Sequence, residues 1–416
     1  MRVLFVTPSV VGSGEAVTCL HIARDIRARG GEVAFLASRT TASLLRPEHP
    51  SRVVELTAEL EENQRRWTDI VHQFEPSVIV FADYPLLQLG DAAPPLADAR
   101  WIETIAELPT SLVTLDHVGY CQRPQLVFFG PAHRSQSSAS TGTLPVSMEI
   151  LLPCPINGPD TEVGRKGIPF RFIPVADELS GALRRSVRRR YLAAGTDRLI
   201  VHAAPVWSER VAVQLGLRLY DHWPRLMDVQ LGDLAARTTV VSVNSGALLP
   251  GDRSRMRIVN QPSLPPFDFD LLLRSCDLFV TENKISTTLA RACFGPTPAA
   301  HLSNPSRLAE VHAWPPSALR SIALEMERED PGSIFSWEVF PIWSTSDVDE
   351  LGVFHGNSYA ETFESCPIFG RRGEGGAIAE VMSDPVRRSV ISERRADYCE
   401  RVARLPGAAE VLDMLV

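Results

Sequence analysis

Several things are scarce in this chain of 416 residues, and each scarcity excludes something. Its seven cysteines form no CxxC pair, so no zinc ribbon and no thioredoxin-type redox motif is spelled out. Cys19, Cys276 and Cys293 lie in apolar stretches and are expected to pack as small hydrophobes in a reducing, cytoplasmic setting. No run of about 18 apolar residues occurs, so no membrane-spanning helix is expected. The apolar start, Met1 to Thr7, is too short for a signal peptide and reads as a first strand. Positive charge is not in excess: 42 Lys and Arg against 50 Asp and Glu give a net charge of −8, which argues against nucleic acid as a partner. The run from Arg184 to Arg190 is a local exception and reads as a solvated helix face, with phosphate or an acidic acceptor as its other reading. No metal pair is expected either. Asp347-Val348-Asp349 has the spelling of one but falls in an aperiodic stretch and reads as a solvated loop.

What is present is an α/β grammar, stated twice. In the first half, strand patterns at Arg2 to Thr7, Glu32 to Ala37, Ser77 to Ala82, Leu112 to Leu115 and Gln125 to Phe129 alternate with helical ones at Ala16 to Arg29 and Leu60 to Phe74. The turn-rich stretch Pro153 to Pro159, then a basic stretch from Arg165 to Val175, marks a junction. The second half restarts with a strand at Arg198 to Ala203, a helix at Arg210 to Trp223, and strands at Thr238 to Val243 and Met256 to Asn260. This predicts two tandem Rossmann-like domains with an interdomain cleft, over residues 1–170 and 171–384. Helices over 385–416, with Tyr398, Val402, Ala403 and Leu405 on one face, are expected to pack back on the first domain. The aromatic stretch Asp330 to Gly370 reads either as an insertion over the cleft or as an irregular core patch.

The richest segment is Cys276 to Ala290. Leu278, Phe279 and Val280 make a buried strand; Thr281, Glu282 and Asn283 make a polar turn; Ser286 or Thr287 caps the helix that follows. Such a unit aims hydroxyls and backbone N–H groups at the carboxyl end of a sheet, where an anion is favoured. An ordinary connection with a polar turn fits the same letters.

Three segments carry a resemblance to a family. Gly12 to Ala37, GSGEAVTCLHIARDIRARGGEVAFLA, is similar to the glycine-rich acceptor loop, helix and strand of GT-B glycosyltransferases. Val259 to Leu302, with its LLLRSCDL helix, polar turn and GPTPAAHL strand entry, resembles their donor-nucleotide segment, and Arg401 to Leu415 resembles their C-terminal run. The layout also resembles that of sugar transferases acting on bacterial secondary metabolites. The resemblance implies a nucleoside-diphosphate-sugar donor, a small-molecule acceptor and no cofactor or metal. It places Thr281, Glu282, Asn283, Ser286 and Thr287 at the donor diphosphate and ribose, Asn260, Gln261 and Ser263 at the base, and Trp207 on the far side of the phosphates. It places Gly12, Ser13, Gly14, Asp83 and Tyr84 at the acceptor.

One departure from the family's pattern matters. Many members carry a histidine as general base after the first-loop glycines, where this chain has Glu15. A carboxylate serves as base if burial raises its pKa; it also caps a helix or binds an acceptor. Asp83, Asp116 and His117, at neighbouring strand ends, are the other base candidates. A dinucleotide-dependent oxidoreductase fits less well. Gly12-Ser13-Gly14 lacks the third glycine of the fingerprint, and Glu15 would face the pyrophosphate. A hydrolysing nucleotide-sugar 2-epimerase and a non-catalytic partner protein of the same fold are further readings.

Overall fold

A computed structural model of the chain describes residues 1–10, 14–88, 93–119, 121, 125–129, 136–140, 144–145, 147–159, 167–173, 178–243, 254–261, 264–352 and 354–416. The first half builds strands β1 (Arg2–Thr7), β2 (Glu32–Ala37), β3 (Val53–Glu55), β4 (Val78–Phe81) and β5 (Ser111–Leu115). Next come β6 (Gln125–Phe129) and β7 (Gln136–Ser140), then β8 (Met148–Cys154) and β9 (Ile168–Arg171). Seven of them form one sheet in the order β3-β2-β1-β4-β5-β8-β9. The strand expected at Gln125 to Phe129 exists but is not part of that sheet: β6 and β7 pair with each other as an antiparallel hairpin. The turn-rich stretch at 153–159 begins at the end of β8, so it lies within the first sheet's connectivity rather than between the two sheets.

The second sheet takes β10 (Arg198–Ala203), β11 (Thr238–Val243), β12 (Arg257–Gln261), β13 (Leu278–Thr281), β14 (Ala299–Ser303) and β15 (Glu364–Pro367). Its order is β12-β11-β10-β13-β14-β15. Every pairing in the two sheets is parallel. The helix expected over Arg210 to Trp223 is two helices, Val206–Gln214 and Leu219–Leu231. They are split at Gly216, whose φ of +74° suits glycine.

Parallel strands covered on both faces read as unbroken apolar runs, and these runs divide cleanly between cores. From β1, Val3 and Phe5 enter one cluster while Leu4 and Val6 enter another. From β13, Phe279 joins the cluster of Val3 and Phe5, while Leu278 and Val280 enter a third. One face of each sheet thus contributes to a single shared core, and the outer faces have cores of their own.

The C-terminal helices Pro385–Ala403 and Ala408–Met414 close on the first sheet. The Arg171 N–H donates to Pro406 O at 3.0 Å. The Ala409 N–H donates to Asp25 Oδ2 at 3.2 Å. Tyr398 and Val402 are buried, but Ala403 is exposed, so the apolar face is narrower than its letters suggest. In the aromatic stretch Trp337, Phe340, Trp343, Tyr359 and Phe363 are buried, which makes it core. Asp347 lies in a helix, Thr345–Leu351, not in a solvated loop, and its carboxylate accepts the Ser344 N–H at 2.6 Å as half of a capping box.

Candidate active site

In an open parallel sheet the strand order reverses where the chain has built outward on one side and returns to build on the other. The carboxyl ends of the strands flanking that point leave a crevice. In the first sheet the reversal lies between β1 and β4; in the second, between β10 and β13. Glu15 follows β1 and Asp83 follows β4; Trp207 follows β10 and Thr281 ends β13. These four expected site residues therefore lie at two equivalent places.

The two places meet. A Cβ on Gly14 would lie 3.6 Å from both Cγ2 and Oγ1 of Thr287. Gly14 opens the helix Gly14–Ala28 and Thr287 opens the helix Thr287–Cys293, so the starts of these helices face each other across the two halves. Ser286 caps the second helix: its Oγ accepts the N–H groups of Thr288 at 3.1 Å and Leu289 at 3.4 Å.

On the first-sheet side, Oε2 of Glu15 is buried and has no hydrogen-bond partner among the described residues. Burial raises the pKa of its carboxyl. Asp83 is buried as well; its pKa is pushed well above the ordinary range by burial, then by the charges of Glu15 and Asp116. Asp116 is spent on its own turn. Its Oδ1 accepts the N–H groups of Val118 at 3.2 Å and Gly119 at 2.6 Å, and Oδ2 accepts that of Cys121 at 3.1 Å. Asn157 ties the same turn down, donating to Asp116 O at 2.8 Å. Burial lowers the pKa of His117 to about 4, which makes it a poor proton acceptor at neutral pH. Tyr84 is wholly buried and packs edge-on to Phe81 at 5.3 Å, so its ring belongs to the core and not to an acceptor wall.

On the second-sheet side three of the expected donor contacts turn inward. Thr281 Oγ1 donates to Ala203 O at 3.0 Å within the sheet. Asn283 Oδ1 accepts the Ile285 N–H at 3.0 Å, which shapes the turn. Glu282 is fully buried and does not face a sugar: both its carboxylate oxygens lie 3.0 Å from Nε2 of His202. The Nδ1 of His202 is 3.1 Å from Oγ of Ser242, and Ser208 Oγ lies 2.8 Å from the Tyr220 hydroxyl. Sequence reasoning missed His202. Its signal was a histidine inside the run Leu199-Ile200-Val201-His202-Ala203, because a polar group in a doubly covered strand requires a buried partner.

Trp207, half-buried, is the second residue of its helix and packs on the shared core. Asn260 and Gln261 stand on the edge strand β12, on the same carboxyl side but separated from β13 by β11 and β10. Gly12, Ser13 and Ser263 lie outside the described residues. A separate group, His222, Glu325 and Glu329, lies on helices elsewhere. The Arg225 guanidinium sits 3.0 Å from Glu325 and 3.3 Å from His222 Nδ1, so a cation already fills that corner.

Solved structures with this fold span the whole chain. The spinosyn rhamnosyltransferase SpnG is 14% identical, with all of both chains covered and a TM-score of 0.51. The same protein complexed with spinosyn aglycone is 16% identical, again with both chains fully covered and a TM-score of 0.51. The glycosyltransferase SnogD from Streptomyces nogalater is 14% identical over 100% of this chain and 98% of its own, with a TM-score of 0.48. The fold is thus the GT-B fold, two α/β domains of parallel sheet. The chain belongs to a family of unknown function (DUF6365), whose profile matches residues 22–416. A comparison with curated protein sequences finds no match.

Proposed function

We propose that the protein is a glycosyltransferase. It moves a sugar from a nucleoside-diphosphate sugar to a small-molecule, natural-product acceptor. The observation that carries this reading is the apposition of Gly14 and Thr287; Gly14 is next in sequence to Glu15, whose Oε2 is buried with no hydrogen-bond partner among the described residues. The fold shared with SpnG, which binds an aglycone, supports it.

In this reading Glu15 takes the proton of the acceptor hydroxyl, because a carboxylate with a raised pKa is the stronger base. The acceptor oxygen attacks the anomeric carbon as the bond to the diphosphate breaks, and the electron pair leaves with the diphosphate. The hydroxyls of Ser286 and Thr287 and the N–H groups around them meet the departing charge. No step is routed through a metal. Aspartate 116 and His117 shape the acceptor side, and Trp207, Asn260 and Gln261 border the donor side.

The test is a thermal-shift series with UDP, TDP, GDP, ADP and NADPH, followed by transfer assays with the donor sugar so named. A nucleotide bound only by the folded protein, at about 100 times its dissociation constant, adds about 2.7 kcal/mol of stability. A response to one nucleoside diphosphate that the Ser286→Ala/Thr287→Ala variant loses is the expected result. A response to NADPH alone sinks the reading.

A further inference from the structure

Lysine is almost absent from this chain. Of its 42 cationic residues two are lysines, Lys166 and Lys284, and the rest are arginines. Lys166 lies outside the described residues. Lys284 stands in the turn between β13 and the helix Thr287–Cys293, two residues before the cap Ser286. The two cations are not interchangeable. Arginine is a rigid fork; lysine is a compact point charge with three donors on a flexible stem, which changes partners by turning.

The surroundings of this charge are defined. Nζ of Lys284 donates to Oε2 of Glu338 at 3.0 Å and lies over the ring of Phe354, 5.0 Å from its centre. Both members of the ion pair are mostly buried but not sealed from solvent. The backbone of Glu338 is fixed: its N–H donates to Trp343 O at 3.0 Å, its carbonyl accepts from Nε2 of His301 at 2.6 Å, and its neighbour Val339 pairs with Asn283 in an antiparallel bridge. Phe354 packs on the core shared by the two halves and stacks on Tyr359 at 6.0 Å. The ammonium therefore lies on the side of the turn that faces the boundary between the halves.

Charge in the crevice is unevenly divided. On the first-sheet side stand three acids, Glu15, Asp83 and Asp116; on the second-sheet side stands Lys284. An anion is disfavoured beside the acids and favoured beside the ammonium. The expected donor side is also short of polar side chains. Thr281, Glu282 and Asn283 turn inward, and Ser286 and Thr287 bring hydroxyls but no charge. Glu338 uses one of the three N–H groups of Lys284, through one carboxylate oxygen, which is a contact that a phosphate oxygen reproduces. His301 does not compete for the carboxylate. Its Nε2 donates to the Glu338 carbonyl, and burial, then the charge of Lys284, lowers its pKa to about 3, so its ring is neutral.

We propose that Lys284 binds the diphosphate of the donor, and that in the free protein Glu338 holds the ammonium until the phosphate takes it over. Assigning that anion to a sugar donor rests on the transfer reading above; the exchange of one anion for another at Lys284 does not. The ammonium is already ordered and largely desolvated, so an incoming phosphate does not meet the cost of immobilising a free side chain.

The test is calorimetric titration of the full chain with inorganic pyrophosphate and with UDP, TDP, GDP and ADP. Lys284→Met is expected to weaken binding about 10- to 100-fold, the share of a hydrogen bond to a charged group. Glu338→Gln is expected to tighten it about 3- to 10-fold, because a negative charge beside the phosphate is gone. A merely structural ion pair gives no such gain. Lys284→Met leaves Glu338 without its cation, so the double variant Lys284→Met/Glu338→Leu, which removes both charges, guards against loss of the fold. It is expected to bind as weakly as the single variant. Wild-type affinity in the double variant, or unchanged or weaker binding in Glu338→Gln, overturns the proposal and leaves the transfer reading standing, since a nucleoside diphosphate still binds. A wild-type chain that binds none of these probes overturns both.

Discussion

The hydroxyl of Tyr398 donates to the carbonyl oxygen of Pro155 at 2.9 Å, joining a C-terminal helix to the turn after β8 across 243 positions of chain. The same hydroxyl is 2.7 Å from Asn357 Oδ1, and Asn357 donates in turn to Pro155 O at 3.2 Å and Ile156 O at 2.9 Å. A buried knot of this kind ties three distant segments at the boundary of the two halves. Tyr398→Phe keeps the ring and removes the donor, while Pro155 O still accepts from Asn357 and Asn357 Oδ1 still accepts the Tyr359 N–H. It should therefore lower unfolding stability by only about 0.5–1.5 kcal/mol, measured by urea titration.

Much of this arrangement was legible before any coordinates. The apolar runs of β1, β10 and β13 announced doubly covered parallel strands, and their carboxyl ends announced where a site would gather. Tyr398 was legible as part of a buried face. Its partner Asn357 was not, because it lies in an aperiodic stretch where no 2.0 or 3.6 period marks a direction. The inward turn of Glu282 was hidden for a related reason. Sequence places a residue at a strand end but does not choose between the crevice and the core. That choice was made by His202, 80 positions earlier.

The apposition of Gly14 and Thr287 sets a limit on side-chain size. A methyl group on Gly14 would make ordinary van der Waals contact at 3.6 Å, so Gly14→Ala should be nearly neutral. A phenyl ring has no room there without parting the two helix starts. Misplacing catalytic parts by an ångström lowers rate by roughly 10²-fold. Gly14→Phe should therefore lose about that much in kcat/KM while its circular dichroism spectrum stays native. Equal losses in the two variants would show that the contact does not set the geometry.

Histidines with lowered pKa values make stability depend on pH, His21, His117 and His301 most strongly. His21 is lowered to about 3 by burial and then by Arg291 and Arg24; His301 to about 3 by burial and then by Lys284; His117 to about 4 by burial. The sign follows from which state binds protons first. Below the ordinary histidine value of 6.5 the unfolded chain takes them up and the native chain does not, so stability is lost as pH falls from there towards 3–4. Each histidine contributes a slope of about 1.4 kcal/mol per pH unit. Glu15 and Asp83, raised in the native state, oppose it, because the folded protein holds protons that the unfolded chain releases. His49, lowered by burial, adds to the loss on acidification, and at lower pH so do Glu48, Asp197, Glu329 and Glu410, whose pKa values are lowered by hydrogen bonds. Replacing His301 by Gln should flatten the dependence between about pH 5 and pH 6 by one histidine's share, read from denaturant midpoints converted to free energy.

The pair of His202 and Glu282 separates a structural carboxylate from a ligand-binding one. Both side chains are fully buried, with Nε2 at 3.0 Å from each carboxylate oxygen and the imidazole against Trp223 at 4.4 Å. The Glu282 carbonyl also accepts the Phe340 N–H at 3.2 Å, so the pair anchors the buried aromatic stretch to the end of β13. Removing one partner strands the other: Glu282→Ala should cost about 3–5 kcal/mol. Glu282→Gln keeps an oxygen to accept from Nε2 and should cost about 1–2 kcal/mol, near the range of one buried hydrogen bond. The double variant His202→Phe/Glu282→Leu removes both polar groups at once and should recover most of the loss, since apolar replacement of a whole buried pair is often neutral. Nucleotide-induced thermal shifts then decide the role. If Glu282 holds the sheet and not a ribose, the Glu282→Gln chain binds its nucleotide as tightly as the parent; a loss of binding without a loss of stability would return Glu282 to the donor site.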